Sequence, residues 1–246
     1  MLPGRLLLLA CLTAAFLLAC AGGGSVTAQR LDCAPLRDLT SYRYTLDLRM
    51  KLPDSASQAL TGGPFAEMAR SLLSLLGDTL VQGAYRAPDR HSLLVRAGDL
   101  QYEVRSIGDR TWQREGGGPW QEGEDGGPSG LSGVHQHLQG LCDSLAIEIA
   151  PLLEEQRGER ETVNGIPARH YSFDETDLQS IATPSDLKNI ESFTAHLWLA
   201  EEGSWPVKLQ VEAAGRGTDG QPGRMELTFQ FSDVNSPDVR IEPPTP

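Results

Sequence analysis

Histidine and acidic side chains are the groups in this chain that could bind a metal or transfer protons. The 246 residues include five histidines and 33 Asp and Glu residues. His135 and His137 are two residues apart, so on a helix their side chains point about 200 degrees apart and cannot share one metal ion. His91, His170 and His196 fall on separate predicted strands. We therefore expect solvated or hydrogen-bonded histidines, no metal site and no cofactor.

Adjacent carboxylates occur in polar loops or at helix ends, where they usually serve as solvated surface charge rather than as a general acid and base. The sequence contains no Gly-x-Ser-x-Gly, P-loop, His-Glu-x-x-His or Cys-x-x-Cys motif. We therefore expect no enzymatic activity. The carboxylate pairs are Glu124-Asp125, Glu154-Glu155 and Glu201-Glu202.

A cysteine near the N-terminus indicates a different chemistry. The apolar run over residues 6–19 follows Arg5 and has about 14 residues, fewer than the roughly 20 of a membrane-spanning helix. This pattern predicts a signal peptide over residues 1–19. The letters LLAC ending at Cys20 resemble the lipobox of bacterial lipoproteins, which implies that the Cys20 thiol is lipidated and becomes the N-terminus. Cleavage near Ala28, with loss of Cys20, is the alternative.

The remaining chain divides into a tether and one predicted domain. Residues 20–40 begin with the lipidated cysteine and the small residues of "AGGGSVTAQ", which are typical of a flexible tether. Residues 41–246 are predicted to form a single domain.

Two cysteines remain after Cys11 leaves with the signal peptide and Cys20 takes lipid. In an oxidising compartment, Cys33 and Cys142 are expected to form a disulfide that closes a loop of about 110 residues. Two free thiols are the alternative.

The charge of the exported part excludes several partners. The 21 Lys and Arg residues fall to 20 without Arg5, against 33 Asp and Glu, which gives a net charge of about −13 with neutral histidines. Nucleic acids require clusters of Lys and Arg, so we expect no nucleic-acid binding. The same balance disfavours electrostatic adhesion to anionic lipid headgroups.

Alternation of apolar and polar residues predicts a series of β-strands. The stretch "SYRYTLDLRMKL" places its aromatic and aliphatic side chains on one face and its polar side chains on the other. Comparable stretches flank Pro-Asp, Gly-Asp and Asn-Gly turns, and "RMELTFQFSD" ends the series. Strands joined by tight turns predict an antiparallel meander.

Three segments between the strands have helical spacing instead. "GPFAEMARSLLSLLGD" and "SGLSGVHQHLQGLCDSLA" each form an apolar stripe, and "DETDLQSIA" is a weaker candidate. Because each helix and each strand needs a cover for its apolar face, we expect an α+β fold class. The expected architecture is a curved antiparallel β half-barrel with two or three amphipathic helices packed on or in its concave face.

Four stretches within residues 42–244 resemble the LolA-like and LppX/LprG-type bacterial lipoproteins, a superfamily of lipid and lipoprotein carriers. They are "YRYTLDLRM", "VQGAYRAPDRHSLLV", "NGIPARHYSF" with "HLWLAEEGSWPVKLQVEA", and "FQFSDVNSPDVRIEPP". The resemblance implies an open half-barrel closed by helices around an apolar cavity. The apolar insertion "GPFAEMARSLLSLLGD" between the first and second strands and the long Gly-rich loop over residues 116–130 depart from the family pattern.

From these features we expect an extracytoplasmic, lipid-anchored monomer of the cell envelope. It would bind an acyl chain or lipid in an apolar cavity and carry it at or between membranes. A sensor or regulatory lipoprotein that binds a protein partner, and a ligand-free surface lipoprotein with a solid core, are the alternatives. The candidate cavity residues are Tyr44, Leu46, Leu48, Met50, Phe65, Met68, Leu72, Leu76, Leu138, Leu209, Leu227 and Phe229.

Overall fold

The computed structural model describes residues 31–51, 78–123, 142, 149–150, 152–153, 156, 158–177, 190–216 and 220–245. They form one sheet of eleven strands, preceded by the 3-10 helix η1 (Ala34–Asp38). The strands are β1 (Ser41–Lys51), β2 (Thr79–Arg86), β3 (Arg90–Ala97), β4 (Leu100–Ile107), β5 (Arg110–Glu115), β6 (Gln121–Gly123), β7 (Glu159–Val163), β8 (Ile166–Asp174), β9 (Ile190–Ala200), β10 (Pro206–Arg216) and β11 (Pro222–Ser232).

The sheet consists of two antiparallel meanders that meet at the first and last strands. Its order is β6-β5-β4-β3-β2-β1-β11-β10-β9-β8-β7, and all neighbouring strands are antiparallel. Sequential hairpins need only short connections, whereas the β1–β11 pair joins distant parts of the chain. Strand β1 therefore holds the two halves of the sheet together.

The predicted α+β class is wrong, because the described part of the chain is nearly all β. Within the described ranges, the helical residues are those of η1 and the short stretches 142, 149–150, 152–153 and 175–177. Asp174 precedes the last of these stretches, and its carboxylate accepts hydrogen bonds from the backbone N–H groups of Thr176 and Asp177, at 2.7 and 3.3 Å. A side-chain oxygen that accepts hydrogen bonds from these two positions caps the first turn of a helix.

The longer helical predictions lie outside the described residues. Most of "GPFAEMARSLLSLLGD" and most of "SGLSGVHQHLQGLCDSLA" fall outside the described ranges. Within the second stretch, Cys142 is described, as a helical residue. The fold class is accordingly defined by the eleven strands, and none of the two or three predicted helices is present as a complete helix among the described residues. Among the described residues, no helix is long and apolar enough to span a membrane.

One half of the sheet is strongly curled. Asn164 and Gly165 form the β7–β8 turn with positive φ angles of 51° and 81°, as an Asn-Gly hairpin turn requires. The Asn164 side-chain amide then donates a 2.7 Å hydrogen bond to the backbone carbonyl of Phe231 on β11. Three steps in the strand order separate β8 from β11, so the contact shows that this half of the sheet bends back on itself.

Candidate functional site

The register of the central strands gathers apolar side chains on one face of the sheet. Leu46 lies opposite Phe229 and Leu48 opposite Leu227 in the β1–β11 pair. On the next strand, Leu209 pairs with Phe229 and Val211 with Leu227. Directly opposed residues have Cβ atoms about 4.5–5.5 Å apart, so these side chains form a continuous surface. We call this surface the outer apolar stretch; it consists of Leu46, Leu48, Leu209, Val211, Leu227 and Phe229, all half-buried.

The same face continues into the core at its other end. The Tyr42 ring packs edge-on against Phe231, with centroids 5.2 Å apart, and Trp205 packs edge-on against Phe231 at 5.8 Å. Edge-to-face pairs of this kind add to the stabilisation that comes from buried area alone. We call this region the closed end; it consists of Tyr42, Leu197, Trp205, Val207 and Phe231, all buried.

The closed end is covered by segments that a disulfide joins. Cys33 and Cys142 are bonded to each other, with Cα atoms 5.8 Å apart, and both are buried in the same cluster as Leu36 of η1. Leu152 and Leu153 belong to that cluster as well. The disulfide therefore links Cys33, next to η1, to Cys142 within the buried cluster at one end of the apolar face.

The described members of the predicted cavity all lie on this apolar face, in different degrees of burial. Tyr44 belongs to the core cluster, with 6% of its surface exposed, and its ring lies against the backbone of Gly83. Met50 is half-buried opposite Met225, beyond the outer apolar stretch. The predicted members Phe65, Met68, Leu72, Leu76 and Leu138 lie outside the described residues, as does the predicted lipidation site Cys20.

Ionisable groups on this part of the face stay neutral. Burial raises the pKa of the Tyr42 and Tyr44 phenols far above their usual range. Over β1, β11 and β10, the positions in register with the outer apolar stretch hold aromatic, aliphatic, Met, Ala and Gly residues. Such a surface can bind hydrocarbon, because burial of apolar side chains against an apolar ligand is favourable.

The polar face brings together histidines that the sequence placed on separate strands. His170 Nε2 lies 3.0 Å from His196 Nδ1, and His170 Nδ1 lies 3.1 Å from the Glu161 carboxylate. The His170 ring stacks on Trp198, whose indole N–H donates a 2.7 Å hydrogen bond to Glu161. This Trp198 hydrogen bond holds the pKa of Glu161 below its usual value, whereas burial lowers the pKa of His196.

This histidine network does not form a metal site in the part of the chain that is described, where no group of three His, Cys, Asp or Glu side chains is arranged as metal ligands. Sequence reasoning missed the network because its members are adjacent only after β7, β8 and β9 have paired. The strand alternation placed His170 and His196 on strands, but it carried no information about their register.

No model of a known protein family matches this chain, and no curated protein sequence matches it significantly. The geometry of the apolar face is therefore the observation from which a function can be argued.

Proposed function

We propose that this chain is a membrane-anchored extracytoplasmic lipoprotein that binds an acyl chain or lipid on its apolar sheet face and carries it at or between membranes. The outer apolar stretch is the observation that supports the proposal. Its side chains are half-buried although they continue directly from a fully buried core, and Leu209, Val211 and Phe229 also contact that core. A hydrocarbon chain laid along them would extend the core rather than open it.

The energetics favour such a ligand. Each methylene removed from water contributes about 0.8 kcal/mol, so a chain of about 16 carbons gains roughly 10 kcal/mol before its ordering is counted. Losses on association reduce this gain, but micromolar binding needs only about 8 kcal/mol. Because the surface is apolar and uncharged, recognition of the hydrocarbon requires no ion pair.

The predicted anchor at Cys20 complements this role. A lipidated cysteine followed by a tether would keep the sheet close to the membrane that supplies the ligand. The net charge of −12 for the whole chain gives no electrostatic attraction to anionic headgroups, so covalent lipid would be the principal attachment.

Native mass spectrometry of the full chain tests the proposal. The protein is purified from membranes and is released from detergent in the gas phase. We expect a population that carries an additional noncovalent mass in the range of a fatty acid or phospholipid, lost at higher collision energy. Chain that is reproducibly free of lipid would contradict acyl binding. Retention of one defined protein in place of lipid would favour a regulatory lipoprotein that uses the same surface.

The position of the ligand is tested by a matched pair of substitutions on β11. Leu227→Asp places a charge in the outer apolar stretch, whereas Thr228→Asp places it on the opposite face of the same strand. We expect Leu227→Asp to lose the lipid-mass species and Thr228→Asp to retain it. Equal loss in both variants would show that the lipid is not bound at this face.

A further inference from the structure

A second concave site lies on the polar face of the sheet, away from the outer apolar stretch. It has a volume of about 730 Å³, and β1–β4 and β11 form its floor. Small-molecule sites in proteins usually measure about 300–1,000 Å³. Its size therefore suits a small ligand.

One wall of this pocket is the C-terminal segment, residues 236–242, which crosses β2, β3 and β4. The Arg86 guanidinium donates to the backbone carbonyl of Val239 at 2.8 Å, and Arg90 donates to that of Ile241 at 2.9 Å. Val239 and Ile241 are buried against Ala84. Charged hydrogen bonds and apolar contacts together hold this wall in place, so the pocket is preformed.

The opposite wall is Trp120, which two arginines hold against the sheet. The guanidinium carbons of Arg105 and Arg114 lie 4.9 and 4.6 Å from the centre of its ring. Contacts at this distance are cation–π interactions. Arg105 also donates a 3.1 Å hydrogen bond to the backbone carbonyl of Glu242 and so connects the two walls.

Arginines outnumber carboxylates in the lining of this pocket, although the whole protein is acidic. Arg43, Arg105 and Arg240 line it, together with Glu103 and Glu242. The negative charge of Glu103 is balanced by Arg114, which contacts both of its carboxylate oxygens at 2.8 and 2.7 Å. Burial raises the pKa of Glu103, but the hydrogen bonds from Arg114 outweigh it and hold the pKa below its usual value.

Arg43 pairs with Asp233 at 3.0 Å, but both side chains are about half exposed. An ion pair at such exposure contributes little, so the guanidinium of Arg43 can exchange its partner for a ligand. Arg240 forms no ion pair with any residue of the described ranges.

The floor between these arginines offers hydroxyl and amide groups. Thr45, Gln82 and Ser92 line it from three adjacent strands. Their side chains can both donate and accept hydrogen bonds, as the hydroxyl groups of a polyol require. Trp120 adds an apolar edge beside them.

We propose that this site, which we call the arginine pocket (Arg43, Arg105 and Arg240 beside Trp120), binds a small organic anion that carries hydroxyl groups, of the class of sugar phosphates. The guanidinium groups contact the anionic group, and the hydroxyl and amide side chains of the floor bind the hydroxyl groups. The site is independent of the acyl-binding proposal, because it lies on the other face of the sheet.

Isothermal titration of the full chain with glucose 6-phosphate, glucose and inorganic phosphate tests the proposal. We expect saturable binding of glucose 6-phosphate at millimolar or lower concentration, and at least about tenfold weaker binding of either single-component probe. Arg43→Gln and Arg240→Gln should each weaken glucose 6-phosphate binding by about tenfold. Arg49→Gln is the control, since Arg49 lies on the same face of β1 and pairs with Asp47 as Arg43 pairs with Asp233.

Three results would overturn the proposal. The first is the absence of saturable binding at millimolar glucose 6-phosphate. The second is an equal loss of affinity in Arg43→Gln and Arg49→Gln, which would indicate diffuse surface charge instead of a site. The third is inorganic phosphate that binds as tightly as glucose 6-phosphate, since the floor would then have no role.

Discussion

The closed end and the outer apolar stretch lie on one face of the same sheet, yet they differ in how far they are covered. At the closed end, Leu197 and Phe231 are 1% and 2% exposed, whereas Leu46, Leu48 and Leu227 in the outer apolar stretch are half-buried. Both regions consist of aliphatic and aromatic side chains on adjacent strands. Residue type therefore does not distinguish them; their position relative to the disulfide-linked cover does.

The difference suggests that the two regions of the apolar face have different roles. Buried side chains supply most of the free energy of folding, and their truncation leaves cavities. Half-buried side chains contribute less to the free energy of folding. They can therefore lie open to solvent or against a ligand at small cost to the stability of the fold. We therefore expect stability to be concentrated at the closed end and ligand binding in the outer apolar stretch.

Truncating one side chain in each region gives the largest expected contrast. Phe231→Ala should lower the free energy of unfolding by about 3–5 kcal/mol, because a buried ring is replaced by a cavity. Leu227→Ala should cost about 1–2 kcal/mol, since part of its surface is already exposed in the folded protein. Urea denaturation measures both values. Equal losses would remove the distinction between the two regions.

Removal of the disulfide tests what covers the closed end. The double variant Cys33→Ser/Cys142→Ser should lose about 2–5 kcal/mol of stability, because a cross-link over a sequence separation of 109 residues no longer restricts the unfolded chain. The measurement is urea denaturation of the variant beside the reduced and the oxidised wild type. Stability equal to that of the oxidised wild type would show that the cover does not depend on the cross-link.

Gly83 marks the boundary between the two regions. A Cβ atom at this position would overlap the ring of Tyr44, its cross-strand partner. Gly83→Ala should therefore displace Tyr44 and destabilise the protein by about 1–3 kcal/mol, the usual cost of overpacking. Near-ultraviolet circular dichroism detects the displaced tyrosine. Gly98→Ala is the control for backbone strain alone, because Gly98 has a positive φ of 56° and open space around it. An unchanged tyrosine signal in Gly83→Ala would refute the close packing.

The smallest expected effect is a pH dependence that arises on the polar face. Burial lowers the pKa of His196 below its ordinary value of 6.5, assisted by the neighbouring His170 and Lys208 and opposed by Glu212 and Glu161. The unfolded chain therefore binds the His196 proton more tightly, and the free energy of unfolding should fall as the pH drops below about 6.5. Urea midpoints at pH 7.5 and 5.5 measure this change, and His196→Gln should reduce it. A variant with the same pH dependence as the wild type would exclude His196 as its source.

Strand positions were predictable because alternation is a local property. The stretch that begins at Ser41 became β1, and the Asn164-Gly165 pair became a hairpin turn, since both depend on residues next to each other. The same alternation predicted the apolar face. It indicated that Leu46, Leu48, Leu227 and Phe229 lie on apolar strand faces, but it did not predict which of them are opposite each other.

The features that sequence reasoning missed all depend on contacts between distant segments. The histidine network forms only when β7, β8 and β9 pair in the observed register. The arginine pocket forms only when the C-terminal segment crosses strands far earlier in the chain; Arg86 and Val239, which are hydrogen-bonded, are 153 residues apart. The C-terminal segment has neither strand nor helix periodicity, so no local signal predicts where it lies. The α+β prediction rested on helical spacing in segments that lie mostly outside the described residues, whereas eleven strands define the fold class of the described part.

The central claim, that the outer apolar stretch binds hydrocarbon, is tested most directly by titrating a fluorescent fatty-acid analogue into the delipidated full chain and its two β11 variants. We expect saturable one-to-one binding to the wild type and to Thr228→Asp, with Leu227→Asp at least about tenfold weaker because a carboxylate would contact the chain. Wild-type protein that does not bind the analogue, or a Leu227→Asp variant that binds it as tightly as Thr228→Asp, would contradict the account.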